Sequence, residues 1–283
     1  MLRPESRTTS IESSENISLF GRIESPRQPH GCIVIVHGFG EHSGRYEKLA
    51  ERFAAMNLTV VRFDHRGHGR SRGSRGHASS YDIYLNDLGN AIDLARERNP
   101  SLPTFIFGHS MGGGLALNYA LRRADKLAGV IATGPWLRLA FSPPAWKTWL
   151  AQRIARIMPT LRMPTNLDIA RLSHDPEVVR GIERDILTNS VISASAYLGI
   201  VEAGQYALAH AAELKFPLLL MHGTADAITD FRASEEFFAA AGGNDKTFKP
   251  WPNMYHEILN EIDSGPVYQT ITDWVAQRLA LAR

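Results

Sequence analysis

A serine flanked by glycines lies between a β-prone run and a run of small residues typical of a helix. The segment from Pro103 to Gly114 reads PTFIFGHSMGGG and contains the pattern G-x-S-x-G around Ser110. A strand that reverses sharply into a helix brings its neighbours close together, so Gly108 and Gly112 leave space that side chains would fill. We therefore predict a nucleophile at Ser110, at a helix N-terminus where amide dipoles favour developing negative charge.

A serine hydroxyl is a weak nucleophile near neutral pH, so it needs a base and a carboxylate that orients the base. On folds that place the serine on such a turn, the acid and then the histidine follow it, just beyond the ends of parallel strands. Asp226 follows the apolar run 218–221, and His256 follows the run 246–251. His256 is also the only one of the 11 histidines beyond Asp226. We predict these two residues as acid and base; the alternatives are a turn aspartate and a surface-loop histidine.

An acyl-transfer intermediate also needs hydrogen-bond donors for its oxyanion. The backbone N–H of Met111 directly follows the nucleophile, and Phe39 lies in the loop after the apolar run 32–36. We predict these two N–H groups as the oxyanion hole, while the Phe39 side chain could also form an apolar wall. In the predicted reaction Ser110 attacks an acyl carbonyl, His256 carries the proton to the leaving alcohol, and water then releases the acid.

Length and composition limit the function classes. The 283 residues are 44% hydrophobic with a formal net charge of +2, which suits one large α/β domain and gives no sign of nucleic-acid binding. No Cys/His cluster with metal-ligand spacing occurs, and the single cysteine, Cys32, heads an apolar run and is expected to be buried. The polar residues 1–16 lack a secretory signal, and no run approaches 18 apolar residues, so we expect a cytoplasmic protein.

Strand-like and helix-like segments alternate along the chain with short connections. That alternation predicts an α/β fold with a doubly wound, mostly parallel sheet. Continuous runs rich in β-branched residues suit strands that are buried on both faces. Pro250, near the end of the last run, favours a position at the sheet edge. The predicted strands span residues 17–23, 32–36, 58–63, 104–107, 127–132, 218–221 and 246–251.

The alternation stops after Gly134, and residues 136–210 show no strand pattern. We predict that this segment is a helical cap, inserted into an α/β core formed by residues 1–135 and 211–283. Its apolar stripe could pack on the core, line a tunnel for an acyl chain or dock on a membrane surface. The stripe comprises Trp146, Trp149, Leu150, Ile154, Ile157 and Met158.

Several segments together resemble the monoacylglycerol lipase and lysophospholipase group of α/β-hydrolases. The first of them, at 37–46, is much more specific than the serine motif. The resemblance covers the chain from about residue 31 to its end, and the predicted cap only loosely. The segments read HGFGEHSGRY at 37–46, FDHRGHGRS at 63–71, GHSMGG at 108–113, GTAD at 223–226 and YHE at 255–257.

The resemblance implies an α/β-hydrolase fold with a catalytic triad and an oxyanion hole. It implies a lipid-facing cap over an apolar acyl tunnel, and no metal or organic cofactor. The implied triad is Ser110, Asp226 and His256, and the implied oxyanion hole is formed by Phe39 and Met111, as the residues themselves indicate.

Other residues in the resembling segments have two readings. Glu41 and Arg45 would face the glycerol of a substrate or brace their own loop. Ile182 stands where relatives often carry the tyrosine of a Tyr-x-x-Asp-Pro-Leu segment, which leaves open what holds the polar end of the substrate. Asp64 and Arg66 are expected to brace their loop rather than to take part in catalysis.

The combined prediction is a serine hydrolase that cleaves monoacylglycerols to a fatty acid and glycerol. Alternatives with the same triad are a lysophospholipase, a broad short-chain carboxylesterase and a perhydrolase. An alternative of another class is a catalytically silent binding protein on the same fold, against which the complete triad argues. The expected partner is a small lipid ester, with peripheral membrane contact through the cap as a further alternative.

Overall fold

The structure is a computed structural model that describes residues 5–97, 100–124, 126–141, 153–154 and 157–281. The strands in these ranges are Glu5–Glu12 (β1), Ser18–Ser25 (β2), Gly31–Val36 (β3), Leu58–Phe63 (β4), Thr104–His109 (β5), Gly129–Thr133 (β6), Arg162–Pro164 (β7), Val191–Ser193 (β8), Leu218–Gly223 (β9) and Lys246–Trp251 (β10). One sheet of the described residues has eight strands in the order β1-β2-β4-β3-β5-β6-β9-β10. From β4 to β10 all neighbouring strands are parallel, whereas β1 and β2 are antiparallel additions at one edge.

Helices cover both faces of this sheet. The helices in the described ranges are Glu47–Ala55 (α1), Tyr81–Arg96 (α2), Met111–Arg122 (α3), Pro176–Arg184 (α4), Ala194–Ala209 (α5), Phe231–Ala240 (α6) and Gly265–Leu281 (α7), of which α4 has no buried residue. Side chains alternate along each strand, so Ile33 and Ile35 pack with α1 and α7, while Val34 and Val36 pack with α2, α3 and α6. The doubly wound, mostly parallel sheet predicted from the sequence is therefore confirmed.

The strand positions follow from burial on both faces. All six residues of β3 are buried, as the continuous apolar run predicts. β4 and β10 have the predicted bounds, and the other predicted strands differ by one or two residues at one or both ends. β10 lies at the edge of the sheet, as predicted, and no strand of this sheet pairs with its outer side. A proline, which has no N–H to donate, is tolerated at such an edge.

The edge strand β1 is not predicted by the sequence pattern. It pairs with β2 over eight residues, from Glu5 opposite Ser25 to Glu12 opposite Ser18. Its sequence, ESRTTSIE, has one buried side chain, that of Ile11. An edge strand of this kind is held by its backbone pairing, which leaves little apolar alternation to detect.

The segment 136–210 contains a short antiparallel pair, which corrects the expectation that it has no strand. β7 and β8 pair over three residues each, with Met163 opposite Ile192 and Pro164 opposite Val191. Three residues are too few to show a period of two, and a proline argues against a strand on sequence grounds. The pairing depends on the fold of the segment between the two strands.

The end of this segment packs on the core. Asn118 in α3 donates from Nδ2 to the carbonyl oxygen of Ala203 in α5 at 3.0 Å. A Cβ on Gly204 would lie 2.2 Å from the carbonyl oxygen of Leu137, so glycine allows this close approach. The bounds of a cap at 136–210 stay a prediction.

The apolar stripe predicted for the cap is described in part. Ile157 and Met158 are 80% and 55% exposed, so they do not pack on the core. Trp146, Trp149 and Leu150 lie outside the described residues. Within the described ranges, none of the helices combines the length and the apolarity needed to span a bilayer.

Candidate active site

Ser110 lies between the last residue of β5 and the first residue of α3, with φ 54° and ψ −118°. Such angles cost a non-glycine residue about 1–3 kcal/mol and persist only where the surroundings impose them. A Cβ on Gly108 would lie 2.2 Å from the carbonyl oxygen of Gly112, and a Cβ on Gly112 would lie 2.2 Å from that of Val36. The glycines on both sides of the serine therefore have the steric role expected from the motif.

Backbone hydrogen bonds hold this strained turn. The Ser110 N–H donates to the carbonyl oxygen of Thr133 at 2.9 Å, and the Ser110 carbonyl oxygen accepts from the N–H groups of Gly114 and Trp136, both at 2.9 Å. These bonds attach the turn to β6 and to the segment that follows it. The side chain of Ser110 is thus presented by rigid elements, at the floor of a large cavity that it lines.

Asp226 and His256 meet at the ends of neighbouring strands. Asp226 follows β9 and His256 follows β10, and Oδ2 of the aspartate lies 2.6 Å from Nδ1 of the histidine. The other carboxylate oxygen, Oδ1, accepts the N–H groups of Ile228 and Thr229 at 2.7 and 3.0 Å. His256 lines the same cavity as Ser110. The structure thus joins Asp226 to His256 by a hydrogen bond and places His256 and Ser110 on the wall of one cavity.

A second histidine also contacts the aspartate. Nε2 of His222 lies 3.0 Å from Oδ2 of Asp226, and its Nδ1 lies 2.8 Å from Oγ of Ser234 in α6. His222 is fully buried. The sequence prediction does not include this contact with Asp226. The place of His222 inside a buried strand, four residues before the acid, is the signal that could have indicated the contact.

The environments of the pair shift both pKa values. Burial opposes ionisation of Asp226, but the charge of His256 and the hydrogen bonds from His222 and His256 hold the pKa of that carboxyl well below its usual range. Burial alone would lower the pKa of His256, and the charge and hydrogen bond of Asp226 outweigh it and raise that pKa. The carboxylate is therefore ionised, and the imidazole binds a proton more readily than a free histidine.

His109 precedes the nucleophile directly and has a different environment. Burial lowers the pKa of His109 to about 3, so it stays neutral. Its Nδ1 lies 3.0 Å from Oγ1 of Thr133, and its ring packs against that of His256 with centroids 4.7 Å apart. These contacts agree with the choice of His256 rather than His109 as the candidate base.

The loop after β3 lies against the nucleophile. A Cβ on Gly38 would be 3.1 Å from Cβ of Ser110, so Phe39 follows at a point of close approach. The Phe39 ring packs edge-on against His68, with centroids 4.8 Å apart, and lines the cavity. Met111 begins α3 and has a buried side chain. Met111 thus follows Ser110 directly and the Gly38–Phe39 loop lies close to it, and the two N–H groups stay the predicted oxyanion donors.

Glu41 and Arg45 line the cavity and are also bonded to each other. Nη1 of Arg45 lies 3.0 Å from Oε2 of Glu41, and its Nη1 and Nη2 lie 2.7 and 2.6 Å from the two carboxylate oxygens of Glu257. Both residues therefore brace their loop while lining the cavity, and their contact with the glycerol of a substrate stays a prediction. Glu257 was not singled out from the sequence, although it follows His256 directly.

The cavity has a volume of about 990 Å³. Ser110, His256, Glu41, Arg45 and Glu257 line it on the side of the reactive groups. The apolar part of its wall includes Trp136, Leu139, Phe141, Met163, Leu167, Ile169, Leu172, Ile182, Ile192 and Ile228. A cavity of this size and lining is suited to a ligand with a long apolar part.

The segment that contains Ile182 is tied to the loop after β3. Nε2 of His42 lies 2.7 Å from Oδ2 of Asp185, and the N–H of Asn189 donates to the carbonyl oxygen of Gly40 at 2.8 Å. Ile182 lines the cavity, as a substrate contact would. Its aliphatic side chain offers no hydrogen bond, so any polar contact on this side must come from its neighbours.

The loop after β4 is braced by its charged residues, as expected. Oδ1 of Asp64 accepts from the N–H and the hydroxyl of Ser43 at 2.8 and 2.6 Å, and Arg66 forms two hydrogen bonds with Asp87. Neither Asp64 nor Arg66 lines the large cavity. In the part of the chain that the structure describes, no cluster of three or more His, Cys, Asp or Glu side chains is suited to a metal ion.

Comparisons with known proteins identify relatives of this chain in sequence and in structure. A family model described as serine aminopeptidase, S33 (Hydrolase_4) matches residues 27–263. A monoacylglycerol lipase from Mycolicibacterium smegmatis is 32% identical over 252 residues, which cover 89% of this chain and 90% of the relative. An uncharacterized abhydrolase domain-containing protein from Dictyostelium discoideum is 34% identical over 98% of this chain, which spans 30% of that relative's length. The crystal structure of a Paleococcus ferrophilus monoacylglycerol lipase has a TM-score of 0.85 and 33% identity, and it covers 92% of this chain and 99% of its own.

Proposed function

This chain belongs to the serine aminopeptidase family, S33, and we propose that it cleaves monoacylglycerols to a fatty acid and glycerol with Ser110 as the nucleophile. The fold is that of α/β-hydrolases, and the chain is an ester hydrolase. The observation that carries the proposal is the meeting, around one cavity, of Ser110 on its strained turn with the hydrogen-bonded His256 and Asp226. The relatives named as monoacylglycerol lipases support the choice of substrate.

In the first half of the reaction, Oγ of Ser110 attacks the ester carbonyl carbon while Nε2 of His256 takes its proton. The 2.6 Å contact with Asp226 keeps the other proton of the ring on Nδ1, so Nε2 is the nitrogen that can accept. The tetrahedral intermediate collapses, His256 gives the proton to the glycerol oxygen, and glycerol leaves. The fatty acyl group stays as an ester on Ser110.

In the second half, water takes the place of the alcohol. His256 accepts a proton from the water as the water oxygen attacks the acyl carbonyl carbon. The bond between that carbon and Oγ of Ser110 then breaks, the fatty acid leaves, and the proton passes from His256 to Oγ to restore the hydroxyl. In both halves the oxyanion would accept hydrogen bonds from the backbone N–H groups of Phe39 and Met111. Donors of this kind each lower the barrier by about 3 kcal/mol.

The cavity supports an acyl chain as the apolar part of the substrate. Its wall beyond the reactive groups is mostly aliphatic and aromatic, with Leu139, Leu172 and Ile228 among its members. Burial of each methylene of a chain there contributes about 0.8 kcal/mol, so a long chain would bind far better than an acetyl group. Lysophospholipase and short-chain esterase activities would use the same reactive groups, but the apolar wall and the relatives favour a long-chain neutral lipid.

Three exposed apolar side chains in or beside the cavity wall support a proposal of peripheral contact with a lipid surface. Phe141 and Leu167, which line the cavity, are 53% and 38% exposed, and Ile186, between lining residues, is 89% exposed. Exposed apolar residues grouped at a cavity mouth are typical of sites that meet a partner or a membrane. We call Phe141, Leu167 and Ile186 the rim of the cavity. We propose that the rim contacts the lipid surface from which the substrate is taken.

An ester panel tests the proposed function. The panel contains a long-chain monoacylglycerol, the matching lysophospholipid, di- and triacylglycerols and a short synthetic ester, each with wild-type protein and with Ser110→Ala. The proposal expects release of fatty acid and glycerol from the monoacylglycerol at the highest kcat/KM, and loss of that release in the variant. A preference for the acetyl ester over every long-chain ester contradicts the lipid substrate while leaving the serine mechanism intact.

A further inference from the structure

A chain of polar side chains continues inward from the candidate acid. Nε2 of His222 lies 3.0 Å from Oδ2 of Asp226, the same oxygen that lies 2.6 Å from Nδ1 of His256. On its other side, Nδ1 of His222 lies 2.8 Å from Oγ of Ser234 in α6. The hydrogen-bonded chain from Ser234 to His256 is buried throughout. Solvent therefore screens none of its contacts.

The carboxylate determines which nitrogen of His222 carries a proton. An ionised carboxylate accepts hydrogen bonds and cannot donate them. Nε2 of His222 therefore donates to Oδ2 of Asp226. In the neutral ring Nδ1 then accepts from the hydroxyl of Ser234. Ser234 thus favours the tautomer in which His222 can donate to the acid.

Other hydrogen bonds already hold the carboxylate of Asp226 in place. Its Oδ1 accepts the N–H groups of Ile228 and Thr229 at 2.7 and 3.0 Å, and the hydroxyl of Thr229 lies 2.8 Å from Oδ2. These contacts fix the plane of the carboxylate without His222. The bond from His222 therefore acts mainly on the charge of Oδ2 rather than on the orientation of the acid.

A donor to Oδ2 weakens the attraction of that oxygen for the proton of His256. His222 and His256 share this one oxygen, so each bond takes up part of the same negative charge. A carboxylate with one donor fewer is a stronger base towards its remaining partners. Without His222 the imidazole of His256 would hold its proton more firmly, and a smaller fraction of the base would be neutral near neutral pH.

We infer that His222 acts on the base through Asp226: it takes up part of the charge of Oδ2 and so limits how firmly that oxygen holds the proton of His256. Ser234 supports this role by keeping the proton of His222 on Nε2. The inference rests on the proposed function and adds two residues to its machinery, neither of which lines the cavity. Substrate binding should therefore be independent of both.

The other ionisable groups around His256 come from its own segment and from two others. Burial lowers the pKa of His256, and the charge of the candidate acid outweighs burial. Glu257, next in the chain, and Glu41, in the loop after β3, add to the rise in that pKa. His109, at the end of β5, packs against the ring, but burial lowers its own pKa to about 3, so it adds no charge. Replacement of His222 leaves all three groups in place.

A side chain without a donor at position 222 tests the inference. In His222→Leu the acid midpoint of kcat/KM for a monoacylglycerol should rise by about 0.5 to 1 pH unit. KM measured well above the midpoint should stay within about twofold of the wild type. The rise is opposite in sign to the fall expected when the charge of the acid is removed in Asp226→Asn. A midpoint that falls or stays unchanged in His222→Leu overturns the inference.

Two further variants test the order of the chain. His222→Gln keeps a donor, since its amide N–H can take the place of Nε2–H, and its midpoint should lie within about 0.3 pH units of the wild type. Ser234→Ala should raise the midpoint less than His222→Leu does. It should add nothing in the double variant, because the serine acts through the histidine. Equal shifts in His222→Gln and His222→Leu, or additive shifts in the double variant, contradict the inference.

Phe237→Leu is the matched control for packing. Phe237 is fully buried in α6, the helix that carries Ser234 and packs against β9. The variant should lower the resistance to urea and leave the acid midpoint in place. Equal shifts of the midpoint in Phe237→Leu and His222→Leu would mean that loosened packing, and not the lost donor, moves it, and would overturn the inference.

A titration of the wild-type protein requires neither a variant nor a substrate. NMR of the imidazole nitrogens identifies which nitrogen of each ring carries a proton. We expect Nε2 of His222 to stay protonated while His256 titrates, and its signal to shift in that same step. A His222 ring with its only proton on Nδ1 overturns the inference and leaves the proposed function standing. If the wild-type protein cleaves no ester, the proposed function fails, while this titration still decides whether His222 donates to the acid.

Discussion

Nδ1 of His256 lies 2.6 Å from Oδ2 of Asp226, and both groups are buried. A charge-assisted hydrogen bond of this length fixes the orientation of the ring and places one proton on Nδ1. Nε2 is then free to accept the proton of a nucleophile. The proton affinity of the candidate base therefore depends on a carboxylate that solvent does not screen, and this dependence sets the pH profile of the proposed reaction.

The first prediction concerns pH. Because the charge of Asp226 outweighs burial and raises the pKa of His256, the acid limb of kcat/KM for monoacylglycerol should have its midpoint above about 6.5. Activity requires the neutral base, so it is present above this midpoint and is lost as the pH falls through it. Asp226→Asn should lower the midpoint and reduce kcat by about 10⁴-fold, the size of the effect known for triad aspartates. An unchanged midpoint in the variant contradicts the coupling of the two residues.

The second prediction concerns the turn that carries Ser110. In Gly108→Ala the new methyl group would lie 2.2 Å from a backbone oxygen of Gly112, so β5 or α3 must move. We expect a loss of more than about 2 kcal/mol in the free energy of unfolding, or a fall of at least about a hundredfold in kcat. Denaturation with urea and the ester assay measure the two effects.

Gly181→Ala is the control for the turn. Gly181 lies in α4, and beyond its chain neighbours and the backbone of its own helix no described atom lies within 4 Å of the position of its Cβ. Because alanine favours a helix by up to about 1 kcal/mol, this variant should keep full activity and equal or greater stability. Wild-type stability and activity in Gly108→Ala would refute the steric role of the motif glycine.

The third prediction concerns the loop after β4. Nε and Nη2 of Arg66 bond the two carboxylate oxygens of Asp87 at 2.7 and 2.9 Å, with 1% and 0% of the side chains exposed. Asp87→Ala leaves a buried guanidinium without its main partner and should lower the free energy of unfolding by about 3–5 kcal/mol. Asp82→Ala removes a carboxylate from the exposed pair with Arg123 and should cost less than about 1 kcal/mol. Equal costs measured by urea denaturation would contradict the bracing role.

The fourth prediction concerns the rim of the cavity. Ile186→Ser removes an apolar side chain that is 89% exposed beside the cavity, and it should weaken binding to phosphatidylcholine vesicles several-fold. The turnover of a monoacylglycerol below its aggregation limit should change little. Ile262→Ser removes an equally apolar side chain that is 68% exposed and does not line the cavity, so vesicle binding should stay as in the wild type. Equal binding of all three proteins in a flotation assay contradicts the proposed lipid contact.

The sequence predicts those parts of the structure that are determined by the residues within one segment. β3 and β9 contain continuous apolar runs, and the turn at Ser110 needs glycines at fixed offsets. Because parallel strands end at one edge of a sheet, the residues after each strand become neighbours, and sequence order alone then selects Asp226 and His256.

The parts that the sequence does not predict depend on contacts between distant segments. β1 has one buried side chain and is held by pairing with β2, and β7 is too short to show a period. The partner of Arg45 is Glu257, 212 positions along the chain, and no spacing rule connects the two. Such pairings follow from the assembled sheet rather than from any local pattern.

The most direct test of the account is to identify the residue that an active-site reagent modifies. The protein is treated with a fluorophosphonate bearing a long alkyl chain, with and without excess monoacylglycerol, and the labelled peptide is sequenced by mass spectrometry. The account predicts a single adduct on Ser110, slowed by the monoacylglycerol and lost in Ser110→Ala. An adduct on another residue, or labelling that persists in that variant, would contradict Ser110 as the nucleophile.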